Sequence, residues 1–168
     1  MRAVHRTLTG FALAVGMQLA LAGAAAAQPS DLGYFVGHWD VASKDPASGE
    51  VLQVDYTIET TPGGAWLAGA SASKDGQVSA RDMWGHDPLT RELIRVIFDG
   101  GGTFATIRSP GWAGDKLVLE GEARSPGGTV RVRETISRLS PQRFEAVWEA
   151  FRNGAWSAYA VETVTRRT

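Results

Sequence analysis

Cysteine is absent from all 168 residues. That excludes a disulfide framework, thiolate zinc sites, a cysteine nucleophile, thioether attachment of haem and a lipoprotein anchor. An excess of positive charge is missing too: Lys and Arg total 17 against 18 Asp and Glu, which argues against a strongly basic nucleic-acid binder. There is no Gly-x-Ser-x-Gly elbow, no phosphate-cradling loop before a helix, no His-Glu-x-x-His and no dinucleotide fingerprint. Asp99-Gly100-Gly101-Gly102 has the glycine content of a phosphate loop, but it lies between two strand-like runs and reads as a hairpin. Calcium-loop spacing is also missing around Asp40 and Asp75.

Only one apolar stretch approaches the ~20 residues that cross a membrane, and it lies at the start. A short basic region holding Arg2 and Arg6 precedes it, and Ala25-Ala26-Ala27 follows before Gln28. This is the three-part pattern of a cleavable export signal over residues 1–27, which predicts a periplasmic or extracellular protein with no membrane contact after cleavage. Without Arg2 and Arg6 the balance is 15 basic to 18 acidic residues, a formal charge of -3. Residues 28–168 then form one domain, long enough to fold without staples.

Turn chemistry punctuates this domain roughly every thirteen residues: Ser48-Gly49, Pro62-Gly63-Gly64, Asp75-Gly76, Asp87-Pro88, Gly114-Asp115, Ser125-Pro126-Gly127-Gly128, Ser140-Pro141 and Asn153-Gly154. Gly and Asn tolerate positive φ and Pro fixes its own, so these clusters turn the chain for physical reasons. Between them lie short runs of β-branched and aromatic residues. The alternation is clearest in Leu52-Gln53-Val54-Asp55-Tyr56-Thr57-Ile58-Glu59, with Leu52, Val54, Tyr56 and Ile58 on one face. In Thr129–Ile136 the same period places Val130, Val132 and Ile136 together, with Glu134 on that apolar face.

The pattern predicts about ten strands, near 37–44, 51–60, 64–73, 77–86, 91–98, 103–109, 115–123, 129–138, 143–151 and 156–166, plus a short N-terminal helical turn near 31–36. Neighbouring antiparallel strands joined by short turns lose both exposed edges if they close, so an all-β, up-and-down antiparallel β-barrel is favoured over a two-sheet sandwich.

Phe35-Val36-Gly37-His38-Trp39-Asp40-Val41 resembles the Gly-x-Trp first strand of calycins, the lipocalins and fatty-acid-binding proteins, in which the Trp closes one barrel end. Gly64-Ala65-Trp66-Leu67, Trp84-Gly85-His86-Asp87-Pro88, Gly114-Asp115-Lys116-Leu117-Val118-Leu119-Glu120-Gly121-Glu122 and Val132-Arg133-Glu134 are similar to an uncharacterised secreted bacterial domain-of-unknown-function family with a lipocalin-like, nitrobindin-like barrel. The resemblance implies a central pocket rather than a particular activity. Nitrobindin-like barrels take a haem ligand from a histidine close to the C-terminus; here the histidines after residue 27 are His38 and His86, and no cofactor or metal is expected.

All six tryptophans fall within the domain. Trp39 is expected to plug the barrel, Trp112 to cap it or line its mouth, and Trp66, Trp84 and Trp148 to join Tyr56 and Tyr159 either as core or as the wall of an apolar ligand site. Arg95, set between Leu93 and Ile97, is the first choice for an inward cation. The fatty-acid-binding relatives imply that such an arginine would hold a ligand carboxylate, while a buried Glu such as Glu134 or Glu162 would pair with the arginine. His86 shares a strand face with Asp82 and Trp84, which makes His86, Asp82 and Glu134 candidates for acid–base catalysis. His38 is expected to point away from Trp39 and outward.

Two functions follow in order of preference. The first is a barrel that binds a small hydrophobic or amphipathic molecule, recognised by a continuous and mostly apolar cavity. The second is a small barrel enzyme using His86 and Asp82, or an inward Glu and Arg pair, on a hydrophobic substrate, recognised by titratable groups with opposed pKa shifts. A barrel filled by side chains would instead suit a structural or interaction role.

Overall fold

The computed structural model describes residues 32–168. The export signal expected over residues 1–27 lies outside them. A 3₁₀ turn at Gly33–Phe35 leads into β1 (Gly37–Lys44), β2 (Val51–Thr60), β3 (Trp66–Ser73), β4 (Ser79–His86), β5 (Leu93–Asp99) and β6 (Phe104–Ser109). A two-residue strand β7 (Trp112–Ala113) precedes β8 (Lys116–Ser125), β9 (Gly128–Ser140), β10 (Arg143–Arg152) and β11 (Ala155–Arg166).

Each strand from β1 to β10 pairs antiparallel with the next except β6, which pairs with β8 instead of β7. β1 and β11 complete the ring, with Trp39 opposite Arg166 and Val41 opposite Val164. The result is a closed, all-β barrel of ten strands in up-and-down order, with β7 a small flap that pairs only with the start of β8.

Turn chemistry sets where the strands begin. β3 starts at Trp66 rather than at residue 64 because Thr61 accepts from Gly64 and donates to the Trp66 carbonyl, a turn that holds Gly63 and Gly64 at φ 87° and 73°. Asn153 and Gly154 both have positive φ, the conformation a two-residue hairpin of matching twist requires.

The two barrel ends differ. At the end formed by the start of β1 and the end of β4, the interior is solid: Leu32, Phe35, Trp39, Trp84, Leu93, Ile107, Leu117, Ile136, Phe144 and Val164 are all buried. Phe35 stacks between Trp84 and Trp112, at ring-centroid distances of 4.8 and 5.8 Å. The Trp39 indole donates to the Phe35 carbonyl at 2.8 Å, and Arg166 covers its ring at 4.0 Å. The six rings Tyr34, Phe35, Trp39, Trp84, Trp112 and Phe144 thus stop this end with apolar area, and the Tyr34 hydroxyl and the Trp39 and Trp84 indoles each donate a hydrogen bond. Trp112 belongs to this stopper and is not at the mouth. Toward the other end the inward side chains shorten to Ser71, Ala80, Ala105, Ala123 and Ala160, and the barrel is hollow.

Candidate functional site

The hollow is a cavity of about 360 Å³ open at one end. Its wall is mostly apolar, with Val41, Leu52, Val54, Ile97, Val132 and Trp148 among the lining residues, and Val78 and Tyr159 stand at the rim, each 47% exposed. This size falls within the ~300–1,000 Å³ range of small-molecule sites.

Polar groups are concentrated at its floor. Arg95 is 8% exposed, Asp82 4% and Glu134 2%. β5 brings Arg95 inward because Leu93, Arg95 and Ile97 alternate toward the interior; in register it stands opposite Trp84 of β4, and its guanidinium lies 4.1 Å from the Trp84 ring centroid. Arg95 Nε and Nη2 donate to Asp82 Oδ2 at 2.8 and 2.6 Å, Nη2 also donates to the Tyr56 hydroxyl at 3.2 Å, and Nη1 donates to both Glu134 oxygens at 2.6 Å. All three guanidinium nitrogens are therefore bonded within the protein. Asp82 Oδ2 accepts further bonds from the Tyr56 hydroxyl at 2.6 Å and the Trp84 indole at 3.1 Å. Its other oxygen, Oδ1, is buried and accepts no hydrogen bond.

Glu162 completes the floor on β11, where Ser43 and Trp148 donate to it. Three carboxylates thus surround one guanidinium, and a fourth, Asp99, lines the upper wall. Burial pushes the Glu134 carboxyl up to about 7 in spite of its contact with Arg95. Burial likewise raises Glu162, with Arg95, Ser43 and Trp148 opposing. For Arg95 burial works against the charge, but Glu134 and Asp82 outweigh it and hold its pKa above the usual value. The physical cause is common to all: charges taken out of water keep their ionisation only where a counter-charge is in contact, and here there is one cation for several acids.

Tyr159 reaches the cavity through a break in the β10–β11 ladder. Trp148 pairs with Ala160 and Glu149 with Ala158, so Tyr159 is an extra residue on β11. The bulge turns its side chain over the mouth, 6.4 Å from the Trp148 ring. Burial, with Glu134 and Glu162 nearby, raises its hydroxyl pKa.

Of the ligand-site residues read from the sequence, Tyr56, Arg95, Trp148 and Tyr159 line the cavity. Trp84 lies beneath it, fully buried under Arg95. Trp66 does not line it: Leu67 and Gly69 take the inward positions of β3, and Trp66 lies outside, across Gly85, where a Cβ would come within 2.2 Å of its ring. Asp82 lines the cavity and Glu134 sits behind Arg95, but His86 joins neither. It lies four residues beyond Asp82 on β4, about 13 Å along the strand, opposite Leu93 at the closed end. A His86–Asp82 catalytic pair is therefore not formed. His38 is exposed, with Nδ1 at 3.0 Å from the Thr57 hydroxyl. Among the described residues no group of three or more His, Cys, Asp and Glu side chains is placed to hold a metal ion.

No family model and no curated protein matches the chain. A redesigned β-barrel of known structure is similar at 11% identity and a TM-score of 0.38, over 82% of this chain and 96% of that one.

Proposed function

We propose that the protein is an exported, lipocalin-like calyx that binds a small hydrophobic or amphipathic molecule. The observation that carries this reading is the open cavity of about 360 Å³ inside the barrel, with a mostly apolar wall and with Asp82, Arg95 and Glu162 at its floor. An apolar body gains ~25 cal/mol for each Å² it removes from water against such a wall, while the floor fixes orientation. A carboxylate head, which the fatty-acid-binding resemblance suggests, suits this floor poorly, because every guanidinium nitrogen of Arg95 is engaged and the surrounding groups are acidic. Native mass spectrometry of the protein purified from its host without denaturation tests the reading. An excess mass that disappears on denaturation is expected; a bare protein that also takes up no apolar probe overturns it.

A second reading rests on a specific observation, the upward-shifted carboxyl of Glu162 on the cavity wall and of Glu134 behind it. Carboxyls whose pKa is raised by burial suit acid–base catalysis on a hydrophobic substrate. Turnover abolished by Glu162→Gln would favour it over simple binding.

A further inference from the structure

Charge at the floor of the calyx specifies more than polarity. Asp82, Glu134 and Glu162 meet one cation, Arg95, and Asp99 adds a further acid above them. Arg95 has nothing left to offer an anion without breaking a buried pair. An acceptor, in contrast, remains: Glu162 stands on the cavity wall, held there by Ser43 and Trp148. Two aromatic rings, Trp148 and Tyr159, border the same space 6.4 Å apart. Negative charge flanked by ring faces is the environment that lowers the energy of a desolvated organic cation, since the rings present their negative faces and the carboxylate supplies the counter-charge.

We infer that the head group recognised at this floor is an organic ammonium carrying an apolar tail, seated between Glu162 and the rings of Trp148 and Tyr159. The inference rests on the calyx reading above and adds the chemical class of its ligand. A tail extends toward Val54, Val78 and Ile97 at the open end, where apolar wall is available. A carboxylate head of the same length meets like charge and is rejected by the same geometry.

Three probes that share a ten-carbon tail separate the possibilities: decyltrimethylammonium, decanol and decanoate, titrated below their micelle-forming concentrations and followed by calorimetry and tryptophan fluorescence at pH 7.5. Decyltrimethylammonium is expected to bind about tenfold or more tightly than decanol, and decanoate more weakly than either. In Glu162→Gln the ratio of ammonium to alcohol affinity is expected to fall about tenfold. Equal affinity for ammonium and alcohol in the unmodified protein, or preference for decanoate, overturns the inference and leaves the calyx reading standing. Binding of none of the three overturns the calyx reading and this inference with it. The unmodified protein alone decides these outcomes, so they stand even if the Glu162 variant does not fold.

Discussion

Gly69 and Asp82 are direct cross-strand partners, and the carboxylate of Asp82 fills the space that a Cβ on residue 69 would occupy, 1.7 Å from Oδ1. A glycine inside a strand weakens it by leaving nothing to pack, so its use here follows from the close approach of an acid. Gly69→Ala is expected to displace Asp82 from Arg95, Tyr56 and Trp84 and to cost about 2 to 4 kcal/mol. Thermal unfolding measures it; a loss below about 0.5 kcal/mol would show that the carboxylate moves aside freely.

The pH dependence of stability has a defined sign. Glu134 ionises near 7 in the folded barrel and near 4.5 when unfolded, so between those values the folded state holds a proton that the unfolded chain has released. Stability therefore falls as pH rises from about 4.5 to 7, by roughly 1 kcal/mol or more for each pH unit where the difference is one proton. Glu162, raised by burial, acts in the same direction. Asp40, Asp45, Asp75 and Asp87 on the surface have lowered pKa values, through Arg167 for Asp40, and through the backbone of Ala47 and Leu89 for Asp45 and Asp87 and the hydroxyl of Ser73 for Asp75. Their contribution is present above about 4 and is lost as pH falls below it. Denaturant unfolding across pH 3 to 8 is expected to show a maximum in mildly acidic solution. Glu134→Gln, which keeps an acceptor for Arg95 and removes the titration, is expected to flatten the alkaline side.

Trp39 is wholly buried and bonded through its indole. Trp39→Ala opens a hole in the stopper and is expected to cost about 3 to 5 kcal/mol. A loss below about 1 kcal/mol in chemical denaturation would contradict its role as the plug.

Tyr159 tests the mouth separately from the core. Its side chain is half exposed, so Tyr159→Ala is expected to move the melting temperature by no more than about 2 °C. Affinity for a ten-carbon amphiphile is expected to drop about three- to tenfold, as read by calorimetry. Unchanged affinity would place the occupant below the ring.

The sequence carries the barrel wherever one period dominates. Leu52, Val54, Tyr56 and Ile58 face inward as their alternation requires, and an arginine between Leu93 and Ile97 has only the interior face to share with them. Where side chains are small the face is not encoded locally. In β3 the run Ala68-Gly69-Ala70-Ser71-Ala72 fits either parity, and Leu67, not the larger Trp66, sets the inward side. Sharing a face also says nothing of distance: His86 and Asp82 lie on one side of β4 yet are four residues apart, whereas Asp82 and Arg95 meet across strands. Tyr159 and Glu162 are three residues apart, so an unbroken strand would put them on opposite faces. Both reach the cavity only because the bulge shifts the parity between them, and the flanking Ala158 and Ala160 give no sign of it.

The aromatic stopper has a kinetic consequence. With Phe35, Trp39, Trp84 and Phe144 sealing one end, the barrel formed by the described residues opens at the other end and cannot be traversed. An occupant of the kind proposed would leave by retracing its path past Val78 and Tyr159, and a newcomer could not push from behind. For the ligand proposed above, exchange would then be strictly sequential, with residence time governed at the rim and the choice of occupant made at the floor.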